Sequence, residues 1–142
     1  MKAKTKYGQA RRLASTTELT REQWLDIRQL GIGSSDAAVA VGLSPYKSQL
    51  TLWLEKTARK APEDISLKEA VLWGVELEPV LAQVYAKRTG YKVRRVNAVL
   101  QHPEHTFMLA NLDREVVGHP DGPGILEIKT ASYHSAPQWE EG

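Results

Sequence analysis

Two runs, Phe107-Met108-Leu109-Ala110-Asn111-Leu112-Asp113 and Gly124-Ile125-Leu126-Glu127-Ile128-Lys129-Thr130, decide how this chain folds. Each is short, apolar or alternating, and bounded by turn residues, which is the pattern of a strand rather than a helix. Between them lie Glu115-Val116-Val117, also strand-like, and the turn Gly118-His119-Pro120-Asp121-Gly122-Pro123-Gly124. Upstream, residues 93–101 carry the same signal, closed by the turn His102-Pro103-Glu104-His105.

Before residue 93 the period is helical. Thr20 followed by Gln23 has capping-box spacing, and Gly31 stops the helix that contains Trp24, Leu25, Ile27 and Arg28. Gly31-Ile32-Gly33-Ser34-Ser35-Asp36 then turns into a short helix over the small residues 37–41, closed by Gly42. Ser48 caps a third helix through Leu50, Leu52, Trp53 and Leu54. Ser66 with Glu69 has the spacing of another capping box, opening a long helix to about Thr89 with Gly90 as its stop. Helices followed by a small, mixed but mostly antiparallel sheet predict one α+β domain. Trp24, Trp53 and Trp73 fall in apolar helical patterns and are expected in the core.

The 142 residues suffice for one domain with a core, and 42% hydrophobic with 25% charged residues is a globular balance. No apolar run reaches the ~20 residues that span a bilayer. Without cysteine, disulfides, thiol nucleophiles and Cys-held metal are excluded, so a metal must be bound by oxygen or by the four histidines. Residues 1–12 carry Lys2, Lys4, Lys6, Arg11 and Arg12 and no acid, which leaves 14 bases against 17 acids in the remainder. The basic excess therefore belongs to the N-terminus, and residues 1–19 read as a basic, flexible arm ahead of a domain at 20–142.

Glu127 and Lys129, two apart on a strand, share a face, while Leu126 and Ile128 point to the core. A carboxylate beside an ammonium suits metal-assisted hydrolysis, the acid holding a cation and the amine orienting water. An ordinary surface ion pair, worth ~0–1 kcal/mol, is the plain alternative. Chance predicts about one acid-x-Lys triplet from 17 acids and 10 lysines, so this single triplet needs its context. Asp113 ends the preceding strand 14 positions earlier, a separation that lets two neighbouring strands bring both carboxylates to one sheet edge. Hard cations such as Mg²⁺ take carboxylate, phosphate and water oxygens; Asp is equally a common turn residue. On the long helix, at ~100° per residue from Leu77, Glu78 falls near ~100°, inside the apolar arc that runs from Ala70 through Leu81, Leu67 and Tyr85 to Val71. A carboxylate there needs a partner or a metal. Alternatively it caps a second half-helix restarted at Pro79. Lys87, Arg88, Lys92, Arg94 and Arg95 place five bases in nine residues with no acid. Phosphate attraction and a solvated helix end explain them equally. His102 and His105 read as a loop pair without metal.

Taken together, these residues resemble the YqaJ-type viral recombinase family, the phage lambda-exonuclease-like branch of the PD-(D/E)xK nucleases. The resemblance runs from about Trp24 to Lys129 through five ordered blocks. They comprise Arg28 with Gly31–Asp36, Gly42–Tyr46 with Leu52-Trp53, Trp73-Gly74 with Glu78-Pro79 and on through Tyr85 and Thr89-Gly90, then Phe107–Asp113 and Leu126–Thr130. It implies a restriction-endonuclease-like core, with the C-terminal part of the family domain missing. It implies Asp113, Glu127 and the Ile128 carbonyl as metal ligands, Glu78 as the helical acid completing the site, and Lys129 on the nucleophilic water. Arg28 and Ser35, with Ser34 beside it, match positions that contact a 5′ phosphate. Arg forks onto phosphate oxygens, and hydroxyls at a helix start favour anions. Arg114 stands where the family often has Gly, and is expected to reshape the turn or to add a phosphate contact. The implied activity is Mg²⁺-dependent hydrolysis of linear double-stranded DNA ends in phage-type recombination, with Mn²⁺ as substitute. The implied setting is the cytoplasm of a bacterium or phage-infected host, with a ring-shaped homo-oligomer and a single-strand annealing protein as partners and no membrane. A catalytically inactive DNA-binding or assembly module is the alternative, and a metal-independent interaction domain a third.

Overall fold

Helices begin where the sequence supplies caps. In the computed structural model, which describes residues 10–133, α1 (Arg21–Gln29) starts behind Thr20, whose side chain accepts the Gln23 N–H while Gln23 returns a bond to the Thr20 N–H. Four helices and two three-stranded antiparallel sheets make up an α+β fold. The chain divides into two compact units.

The first unit takes the described residues up to Glu63 together with Val96–Asn111. It holds β1 (Arg11–Ser15), α1, α2 (Ser34–Ala40), α3 (Gln49–Lys56), β3 (Ala98–Gln101) and β4 (Leu109–Asn111). Its sheet has the order β1-β3-β4, and its core gathers Val39, Leu52, Val96, Ala98, Val99, Leu100 and Leu109. Ile32 bridges to this sheet: its N–H reaches the Phe107 carbonyl at 2.7 Å and its carbonyl accepts from Leu109 at 2.9 Å. The chain enters that bridge through Gly31, where any Cβ would collide with the Phe107 carbonyl.

The second unit takes Asp64–Arg95 and the described residues from Leu112. It holds α4 (Glu69–Thr89), β2 (Lys92–Arg95), β5 (Arg114–Val117) and β6 (Gly124–Leu126), with the sheet order β2-β5-β6. Helix α4 runs unbroken through Pro79 and stops at Gly90, whose φ of 75° is the left-handed conformation that ends helices.

Several expectations are corrected. The single sheet is two, because the predicted strand over 93–101 breaks at Val96-Asn97 and its halves join different sheets. Within the segment read as a flexible arm, Arg11–Ser15 instead forms β1, paired in register with β3; Lys2, Lys4 and Lys6 lie outside the described residues. Helix α4 starts at Glu69 with Lys68 as its cap, not at a Ser66 box, because the Ser66 N–H is taken by the Asp64 carboxylate at 3.0 Å. Trp53 and Trp73 are exposed and Trp24 half-buried, so the tryptophans are not core. Arginines cover two of them instead, Arg28 lying over Trp24 at 4.6 Å and Arg59 over Trp53 at 4.3 Å.

Candidate active site

Strand pairing explains why Asp113 meets the acid-x-Lys motif. Arg114 lies opposite Leu126 across β5 and β6, so the residue before β5 stands beside the residues after β6. There the Asp113 Oδ2 accepts the Ile128 N–H at 2.9 Å. This bond also ends the strand. The sequence pattern predicts a strand through Thr130, but β6 stops at Leu126, and the next inward amide is satisfied by a side chain rather than by a ladder partner. Alternation survives: Leu126 and Ile128 are half-buried, Glu127 and Lys129 exposed. Glu127 and Lys129 pair with each other, as two residues sharing a face can.

Glu78 has a different partner. Its carboxylate pairs with Arg114, whose side chain is only 6% exposed, and Arg114 Nη1 also donates to the Asp113 carbonyl at 2.8 Å. Arg114 therefore does not face solvent. It links Glu78 of α4 to the backbone of Asp113. Of the three acids, Asp113 is tied to the motif backbone, Glu127 to Lys129 and Glu78 to Arg114. Among the described residues, no three His, Cys, Asp or Glu side chains are grouped so as to hold a metal ion. The donors around Ile128 fit a hard cation in kind: the Asp113 and Glu127 carboxylates and a backbone carbonyl are all oxygen. Glu78 spends Oε1 on a buried guanidinium, so its first partner is Arg114 rather than a cation.

The residues expected to meet a 5′ phosphate, Arg28, Ser34 and Ser35, all lie in the first unit. Arg28, on the last turn of α1, donates from Nη2 to the Ser35 hydroxyl at 2.7 Å. Ser34 and Ser35, the first residues of α2, are exposed. Lys56 fixes this corner, donating to the Arg28 carbonyl at 2.7 Å and pairing with Asp36 at 2.8 Å; Asp36 in turn accepts the Gly33 N–H at 3.2 Å. The structure thus brings Arg28 to Ser35.

The partners of two residues escaped sequence reasoning. Lys56 left no signal, since its partners are 20 or more positions away. Arg114 left a faint one: a base inside an apolar strand and an acid inside an apolar helical arc each need a counter-charge. His102 is a turn organiser, its Nδ1 accepting the Glu104 and His105 N–H groups at 3.2 and 3.0 Å.

Residues 23–142 match the model of the YqaJ-like viral recombinase domain. The chain belongs to this family. The YqaJ-like chain is also similar to uncharacterized protein YqaJ of Bacillus subtilis (strain 168), with 43% identity over 129 residues, 91% of this chain and 39% of that protein. Among solved structures it resembles an alkaline exonuclease (LHK-Exo) from Laribacter hongkongensis. There the TM-score is 0.61 and the identity 25%, over 82% of this chain and 57% of that one. The YqaJ-like chain thus spans less than two thirds of the length of either relative. Among the described residues, no helix is long and apolar enough to cross a membrane.

Proposed function

We propose that this chain is a metal-dependent deoxyribonuclease that hydrolyses phosphodiester bonds at linear double-stranded DNA ends, in phage-type recombination. The observation that carries this reading is the Asp113 carboxylate docked on the Ile128 amide, between Glu127 and Lys129. Family membership and the likeness to an alkaline exonuclease support it.

Asp113, Glu127 and the Ile128 carbonyl are the residues that would hold Mg²⁺, with Mn²⁺ as substitute. The cation supplies Lewis-acid polarisation of the phosphate and a more acidic water. The remaining work falls to side chains. Lys129, held beside Glu127, offers N–H donors from Nζ that orient the attacking water oxygen toward phosphorus. The water's oxygen–phosphorus bond forms as the bond to the sugar oxygen breaks; the attacking water gives up one proton to solvent, and the released alkoxide takes one from solvent. Arg114 anchors Asp113 through its carbonyl and is itself held by Glu78. In the first unit, Arg28 and Ser35 are proposed to receive the terminal phosphate, the guanidinium and hydroxyl turning from each other to phosphate oxygens.

The test is incubation of the chain with 5′-labelled linear duplex, with Mg²⁺ or with chelator. The reading expects label release that needs Mg²⁺ and disappears in Lys129→Ala. Retention of DNA without release marks a binding or assembly module, and neither retention nor release refutes both.

A further inference from the structure

We infer that Lys87, Arg88, Lys92 and Arg95 form a track for the phosphodiester backbone of duplex DNA, leading away from the Asp113 corner. The inference rests on the nuclease reading above and extends it to a surface with no part in the chemistry.

All four side chains belong to exposed residues, and among the described residues none of them has an ion-pair partner. Arg94, between them, is different: it bonds Glu115 at 2.6 Å. Helix-end electrostatics account for Lys87 and Arg88, which lie in the last turn of α4 where cations are favoured. They do not account for Lys92 and Arg95, which lie on β2. A lysine on an edge strand discourages edge-to-edge pairing, which accounts for Lys92 alone. Arg95 stands opposite Arg114, whose counter-charge is Glu78, and among the described residues it has no acid of its own. Four solvated cations without a local acid point to an external polyanion.

Register gives the track its direction. Arg95 pairs with Arg114, the residue after Asp113, whereas Lys92 pairs with Val117 at the far end of β5. Three positions apart, Lys92 and Arg95 leave opposite faces of β2 and flank its outer edge, ~10 Å apart along the strand, the rise of about three phosphates on one DNA strand. Lys87 and Arg88 continue the positive surface at the end of α4, before β2 begins. Because β2 is the outer strand of the order β2-β5-β6, no neighbouring strand among the described residues covers its outer edge.

The experiment measures binding of the whole chain to a fluorescent linear duplex, by anisotropy in EDTA so that nothing is cleaved, from 50 to 200 mM KCl. Wild type is compared with the fourfold variant Lys87→Gln, Arg88→Gln, Lys92→Gln and Arg95→Gln. Each phosphate contact contributes about −0.9 to the slope of log affinity against log salt. Loss of four contacts flattens the slope by about 3.6, so the wild-type advantage shrinks about 150-fold between 50 and 200 mM. Lys60→Gln, an exposed base of the first unit, serves as the control for net charge and leaves the slope within about one contact. A fourfold variant with the wild-type slope and affinity overturns the track and leaves the nuclease reading standing. A wild-type chain that neither binds nor cleaves duplex DNA overturns both.

Discussion

Replacing Glu78 by Gln removes the charge that neutralises Arg114 while keeping the side chain's size. The guanidinium it leaves behind is 6% exposed and retains the Asp113 carbonyl as a neutral partner. Stranding one member of a fully buried pair costs ~3–5 kcal/mol. Glu78 is 30% exposed, so water offsets part of this, and about 2–3 kcal/mol is the expected loss. For a chain of this size, at about 3 °C per kcal/mol, the melting temperature falls by about 6–9 °C. Removing both charges, in Glu78→Gln with Arg114→Met, leaves no stranded ion and restores stability to within about 1 kcal/mol of wild type. Melting curves of wild type, both single variants and the double variant measure the cycle. A Glu78→Gln shift under 2 °C, or a double variant as unstable as the two singles added, would refute the claim that the pair is a buried unit.

Further outcomes follow from the same geometry. Lys129→Ala slows cleavage of linear duplex by about 10²–10³-fold at saturating DNA, as loss of one oriented donor does, with circular dichroism unchanged; a rate within threefold of wild type contradicts its role. Arg28→Ala lowers the preference for 5′-phosphorylated over 5′-hydroxyl duplex ends by about tenfold, the worth of one hydrogen bond to a charged group. Equal discrimination in the variant removes Arg28 from the phosphate contact. Thr20→Ala, which deletes the cap of α1, costs about 1 kcal/mol in urea unfolding. Gly31→Ala costs about 1–3 kcal/mol, because its Cβ meets the Phe107 carbonyl and forces the bridge apart.

Local signals were legible. The Thr20–Gln23 box, the Ser48 cap and the Gly90 stop each lie within one turn of the helix they bound, and each stands where expected. The acid-x-Lys motif and Asp113 were also readable, because a hairpin fixes their meeting and its turn residues are explicit. What escaped depends on partners distant in sequence. Strand β1 reads as a charged tail because Arg11 and Arg12 are exposed on an outer strand; only β3, over 80 residues later, makes it a strand. Helix α4 exposes Leu72, Trp73, Val75, Val80, Leu81 and Val84, so its apolar arc overstates the core that receives it, and only Ala82 is buried. The placing of Glu78 inside that arc was nevertheless informative, since it anticipated a carboxylate that needs a partner. The partner is Arg114.

Asp113 and Glu127 are proposed to serve one cation. Calorimetric titration of the whole chain with Mn²⁺, in the absence of DNA, addresses this directly. It predicts saturable binding in wild type, retained in Glu78→Gln and abolished in Asp113→Asn and in Glu127→Gln. A wild-type chain that takes up no Mn²⁺, or an Asp113→Asn chain that binds it as tightly as wild type, contradicts the assignment.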